Sequence, residues 1–138
     1  MQYEKVHQIT SSALKFFEDH LKSPMIWQVF PRNFCEEASS LLLIILQQEG
    51  INDFKLMKGT NIENEHHFWL ENDEYVIDLT AHQFDEIISP FLLIEKSKYP
   101  LSKVFSLDIS EIIDFQNWGG LDPFKPKIQS IFYVDYYK

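Results

Sequence analysis

The sequence predicts an α+β fold, a central buried helix packed on an antiparallel β-sheet, and three observations carry that prediction. First, residues 33–50 (NFCEEASSLLLIILQQEG) contain the unbroken apolar run LLLIIL, where a surface helix would interpose polar side chains. This helix is therefore expected to be buried on nearly all sides after its first turn. Second, residues 67–71 and 74–79 are two strand-like runs parted only by Asn72-Asp73, which reads as a β-hairpin. Third, 138 residues with 45% hydrophobic and 15% aromatic content make a chain of one-domain size, able to bury a core without disulfides. A single domain over residues 1–138 is the expectation.

The elements follow in chain order. Residues 3–22 place Val6, Ile9, Ala13, Phe16, Phe17 and Leu21 at near-helical spacing, and Pro24 closes the segment, so an amphipathic helix is predicted. Residues 25–30 are a short apolar lead-in, turned by Pro31-Arg32 into a capping-box-like start at Asn33 with Glu36 three residues on. Gly50 supplies the helix stop. Residues 53–58 alternate polar and apolar up to Gly59 and predict a first strand, and 60–65 a loop. After the hairpin, residues 87–95 predict another strand, with Pro90 near its start, and 96–103 a mobile loop. Residues 110–117 predict a short helix capped by Asp108 or Ser110 and ended by Gly119-Gly120. The tail 128–136 has strand-favouring composition, but Asp122-Pro123 and Pro126 are equally able to open a terminal helix.

Composition excludes some classes of function. With 21 Asp+Glu against 12 Lys+Arg the formal charge is −9, so a polyanion is repelled and no nucleic-acid partner is expected. No apolar run approaches the roughly 18 residues that a membrane helix needs, so no membrane association is expected. One cysteine allows no internal disulfide, and the first residues lack the basic and apolar regions of a signal peptide. A cytoplasmic protein is predicted, which leaves open later delivery into another cell as an effector or toxin.

The chemistry-bearing residues converge on the hairpin. Cys35 lies in the first turn of the central helix, where free N–H groups and the helix dipole favour a thiolate, while Glu36 and Glu37 oppose it. With Asn72-Asp73 as the loop, Leu70 pairs with Tyr75, Trp69 with Val76, and His67 with Asp78. Cross-strand partners have Cβ atoms about 4.5–5.5 Å apart, so an imidazole–carboxylate hydrogen bond is within reach. Alternation puts Trp69 and Glu71 on the face of His67, and His66 on the other, which makes His67 the candidate base and Trp69 a candidate for the substrate cleft. A helix-terminal thiol, a histidine and an orienting carboxylate form a Cys-His-Asp arrangement for acyl chemistry.

In the order Cys-x-x-Ala-Ser (35–39), His-x-Trp-x-Glu (67–71) and Ile-Asp-Leu-Thr-x-x-Gln-Phe (77–84), the chain resembles the transglutaminase-like branch of the papain-like cysteine enzymes. The likeness covers residues 30 to about 84, with a weaker echo as far as residue 94. It implies a papain-like (transglutaminase-like) core, with Cys35 as nucleophile, His67 as base and Asp78 as orienting acid. It further implies hydrolysis or acyl transfer at peptide or Gln/Asn side-chain amides through a thioester, a peptide or protein substrate, and no cofactor or metal. Papain-like peptidases carry an oxyanion-donating glutamine six residues before the cysteine, whereas here Gln28 stands seven before Cys35. Gln28 is thus a displaced candidate, and the Cys35 backbone N–H the better half of an oxyanion hole.

Two other readings compete. His66, His67, His82, Asp78 and Cys35 could supply a metal site, but adjacent strand residues point to opposite faces and no close-spaced ligand pair shares one. Alternatively the chain is a binding or accessory module that keeps the fold without turnover, docking through its N-terminal helix. A lone cysteine in a helix is most often only a small apolar side chain.

Overall fold

The computed structural model describes residues 2–22 and 29–138. The expected lead-in at 25–30 and the position of Gln28 therefore lie largely outside the described residues. Helix α1 spans Tyr3–His20, and Val6, Ile9, Ala13, Phe16 and Phe17 recur every three to four residues to form its buried face. Helix α2 spans Cys35–Gln48 and is buried continuously from Glu37 to Leu46, as an uninterrupted apolar run requires. Its start corrects the expected cap. Asn33 does not cap the helix: Phe34 flanks it with no side-chain cap, and Asn33 sits at φ 61°. Asparagine tolerates this left-handed region better than most residues, and here it serves the turn in which the Phe34 N–H reaches the Pro31 carbonyl. At the other end Gly50, at φ 79°, turns the chain so that the Ile51 N–H donates to the Leu46 carbonyl.

Five strands follow: β1 Lys55–Thr60, β2 His66–Glu71, β3 Tyr75–Asp78, β4 Phe91–Glu95 and β5 Leu107–Glu111. They form one sheet in the order β4-β3-β2-β1-β5, with every neighbouring pair antiparallel. Leu56, Leu70 and Ile77 join the α2 leucines in one core cluster, and the Ser39 hydroxyl ties the helix to the Phe68 carbonyl at 3.4 Å. A second cluster, with Trp69, Val76, Tyr99, Leu101 and Phe105, fills the sheet's other side.

Several boundaries differ from expectation, each for a local reason. β1 runs through Gly59, which is no terminator: a Cβ there would collide with the Phe105 backbone oxygen and come within 2.8 Å of the Trp69 ring. β4 begins only at Phe91, after Pro90, which has no N–H for a ladder. The expected mobile loop 96–103 is instead two short 3₁₀ turns, Lys96–Lys98 and Pro100–Ser102, held down by buried Tyr99 and Leu101. The helix expected over 110–117 is absent: residues 107–111 pair with the outer edge of β1, and only Phe115–Asn117 is helical. All five β5 residues are exposed, so no burial pattern marked the strand. The tail takes the helical alternative, as a π-helix over Ile128–Tyr136 with Ile128 and Phe132 buried.

The hairpin register is the most consequential difference. Leu70 pairs with Ile77 and Glu71 with Val76, so β3 is displaced by two residues from the expected pairing. The Asn72 side chain explains it: its Oδ1 accepts the N–H groups of Glu74 (2.9 Å) and Tyr75 (2.7 Å), while its own N–H donates to the Tyr75 carbonyl. The loop is thus centred on Asp73-Glu74 and closed by an Asx turn.

Candidate functional site

A slip of two residues preserves which face each side chain occupies, because strand side chains alternate with period two. His67 and Asp78 are therefore diagonal neighbours rather than direct partners, a separation that long side chains bridge. The His67 Nε2 lies 2.7 Å from Asp78 Oδ2, with both side chains completely buried. Burial alone would pull the imidazole's pKa down. The charge and hydrogen bond of Asp78, aided by the hydrogen bonding and charge of Cys35, outweigh it and raise the ring to about 10.

The other nitrogen, Nδ1, is buried with no hydrogen-bond partner at proper geometry among the described residues. Cys35 is nonetheless close enough to raise the ring's affinity for a proton through its hydrogen bonding and charge. Cys35 itself is a half-buried free thiol at the first position of α2. Beside it, burial pushes the Glu36 carboxyl above its ordinary value against the opposing charge of Lys58.

Asp78 is fixed from both sides. Its Oδ2 also accepts the Tyr99 hydroxyl at 2.6 Å, and its Oδ1 accepts the Thr80 N–H at 3.2 Å and the Thr80 hydroxyl at 3.4 Å. Burial and the neighbouring charge of Asp78 hold the Tyr99 phenol well above its ordinary pKa, so it remains a donor. Gln83 then links the carboxylate to the helix: its Nε2 donates to Thr80 Oγ1 (3.2 Å) and its Oε1 accepts the Asn33 N–H (3.4 Å). The turn before Cys35 and the turn after Asp78 are thereby tied together.

Trp69 stacks near the imidazole at 6.1 Å, and its Nε1 donates to Glu71, which pairs with Lys96. Phe84 (5.1 Å) and Phe105 (5.2 Å) enclose the rest of the ring. Trp69, placed by sequence in the cleft, is 3% exposed and forms part of this wall. The alternative metal ligands do not assemble. His66 turns to Thr60 Oγ1 at 3.0 Å, His82 packs on Phe30, and among the described residues no group of three His, Cys, Asp or Glu could hold a metal ion.

Sequence reasoning missed Tyr99, Phe105 and the linking role of Gln83. Gln83 and Phe84 stand in the motif that follows Asp78, but Tyr99 lies in the segment 96–103 expected to be a loop, and Phe105 falls in no predicted element. No protein-family model, curated protein or solved structure matches the chain.

Proposed function

We propose that this protein is a small cysteine-dependent hydrolase or acyltransferase acting on peptide or Gln/Asn side-chain amides, of the transglutaminase-like, papain-like kind. The observation that carries the reading is the buried His67–Asp78 pair, whose remaining nitrogen is left for a thiol at the head of a core helix. The order Cys, His, Asp along the chain and the helix packed on an antiparallel sheet support it.

In this chemistry the Cys35 thiol gives its proton to His67 and Sγ attacks the amide carbon. The tetrahedral oxyanion collapses, the C–N bond breaks, and His67 returns the proton to the leaving amine. His67 then takes a proton from water or an acceptor amine as its O or N attacks the thioester, and the proton returns to the sulfur as the C–S bond breaks. Once the Nδ1 proton has gone to the leaving amine, Asp78 keeps the other on Nε2, so that Nδ1 presents the lone pair that deprotonates the incoming water or amine.

A second reading, a binding module that keeps the fold without turnover, draws on the complete enclosure of the His67 ring. Iodoacetamide separates the two. At pH 7 the native thiol should react faster than the same thiol in denatured protein, and His67→Ala should abolish the excess while His66→Ala leaves it. A native thiol slower than the denatured one would refute the catalytic reading.

A further inference from the structure

Beyond the two aromatic walls of His67 lies a cleft of about 510 Å³, within the rough 300–1,000 Å³ range of ligand sites. Phe84 and Phe105 belong to both: each packs on the imidazole and also lines the cleft, together with Ile87 and Leu101. The cleft therefore begins one ring's thickness from the proposed base.

Its chemistry is two-sided. The apolar lining is joined by three carboxylates, Glu63, Glu65 and Glu86, and no lysine, arginine or histidine lines it. The loops that carry these acids also leave Ile62 91% and Ile88 97% exposed, large apolar side chains standing in water beside the cleft's own residues. Single exposed apolar residues are ordinary, but here they flank an apolar hollow on two of the three segments that line it. A small polar solute would leave that lining unused, and an acidic one would meet three like charges.

We propose that this cleft holds an extended peptide segment with an apolar side chain next to a lysine or arginine. The apolar group fills the space against Phe84, Phe105 and Leu101, and the cation meets the glutamates. Calling that segment the substrate rests on the acyl-transfer reading of Cys35, His67 and Asp78, whereas its binding does not.

The test uses both forms of the full chain. With Cys35→Ser protein, fluorescence anisotropy is measured for labelled peptides of equal length containing Leu-Arg, Leu-Glu or Gly-Arg. Leu-Arg should bind tightest, and the double reversal Glu63→Lys with Glu86→Lys should shift its preference over Leu-Glu by about tenfold, the modest effect of exposed charge contacts. With the native enzyme, chloromethyl ketones bearing Leu-Arg should alkylate Cys35 faster than those bearing Leu-Glu, after scaling to iodoacetamide. Equal binding of the three peptides, or a preference unmoved by the reversal, would overturn the cleft assignment. A thiol inert to iodoacetamide alongside selective Leu-Arg binding would sink the acyl-transfer reading and leave the cleft assignment standing.

Discussion

Asp78→Asn is the substitution that most directly interrogates the site, because it removes one charge and leaves the side chain's shape. Four donors point at the native carboxylate: His67 Nε2 and the Tyr99 hydroxyl at Oδ2, and the Thr80 N–H and hydroxyl at Oδ1. An amide satisfies only one side. With its oxygen toward Thr80, its NH₂ faces Nε2, which must then carry a lone pair, so the ring's proton moves to Nδ1 and the nitrogen facing the thiol can no longer accept. With its oxygen toward His67 and Tyr99, its NH₂ confronts the Thr80 N–H, a mismatch costing about 1–3 kcal/mol.

Holding the imidazole at about 10 against its burial corresponds to on the order of 5 kcal/mol of favourable interaction, most of which depends on the carboxylate's charge. In the variant, burial is left to dominate, and the His67 pKa should fall below its ordinary 6.5. The expected result is a loss of Cys35 alkylation excess and of turnover approaching about 10⁴-fold, as when a comparable triad loses its orienting charge. Stability should drop by about 3 kcal/mol, as for one partner removed from a buried pair. Alkylation kinetics and NMR titration of the His67 ring read both effects, with circular dichroism confirming the fold. Asp73→Asn, in the exposed hairpin loop, is the matched control. Variant kinetics equal to the control, or an unmoved His67 titration, would refute the pairing.

Other outcomes follow from the same geometry. Because His67 holds its proton more tightly folded than unfolded, its contribution to stability should be complete below about pH 6.5 and lost as pH rises toward about 10. Urea denaturation across that window should show the decline, and Asp78→Asn should flatten it. Tyr99→Phe removes a donor to a buried carboxylate and should cost about 1.5–3 kcal/mol in thermal unfolding. Gly59→Ala drives a Cβ into the Phe105 backbone oxygen and toward Trp69, and should destabilise by about 1–3 kcal/mol with loss of the native near-ultraviolet signal.

What could be read in advance followed strong local signals. The apolar run 41–46 announced a core helix, and the spacing of Val6, Ile9, Ala13 and Phe16 announced α1, because burial on one or all sides leaves a mark in the residue pattern. His67 and Asp78 were brought together by a pairing that was wrong by two residues and right in facing, since the error was even. Asn72's side chain, which acts as a backbone mimic in the turn, set the true register, and residue counting alone gave it no weight. β5 escapes for the opposite reason from α2: all five of its residues are exposed, so its short alternation buries nothing, and its pairing is dictated by the open edge of β1. Tyr99 and Phe105 reach the site from a segment without periodicity, so only the assembled fold could reveal them.

The enclosure of His67 has a consequence for proton traffic. With one nitrogen committed to Asp78 and the ring walled by Trp69, Phe84 and Phe105, bulk water has no direct contact with the imidazole. Nδ1 is the ring nitrogen not committed to Asp78, so a proton entering or leaving the imidazole there must cross the space in front of it. In the proposed reaction that space works as a turnstile: the leaving amine must vacate it before an acceptor can be deprotonated there. In that proposed reaction, whichever nucleophile then occupies the vacated space, a water molecule or the amine of a second chain, decides between hydrolysis and acyl transfer.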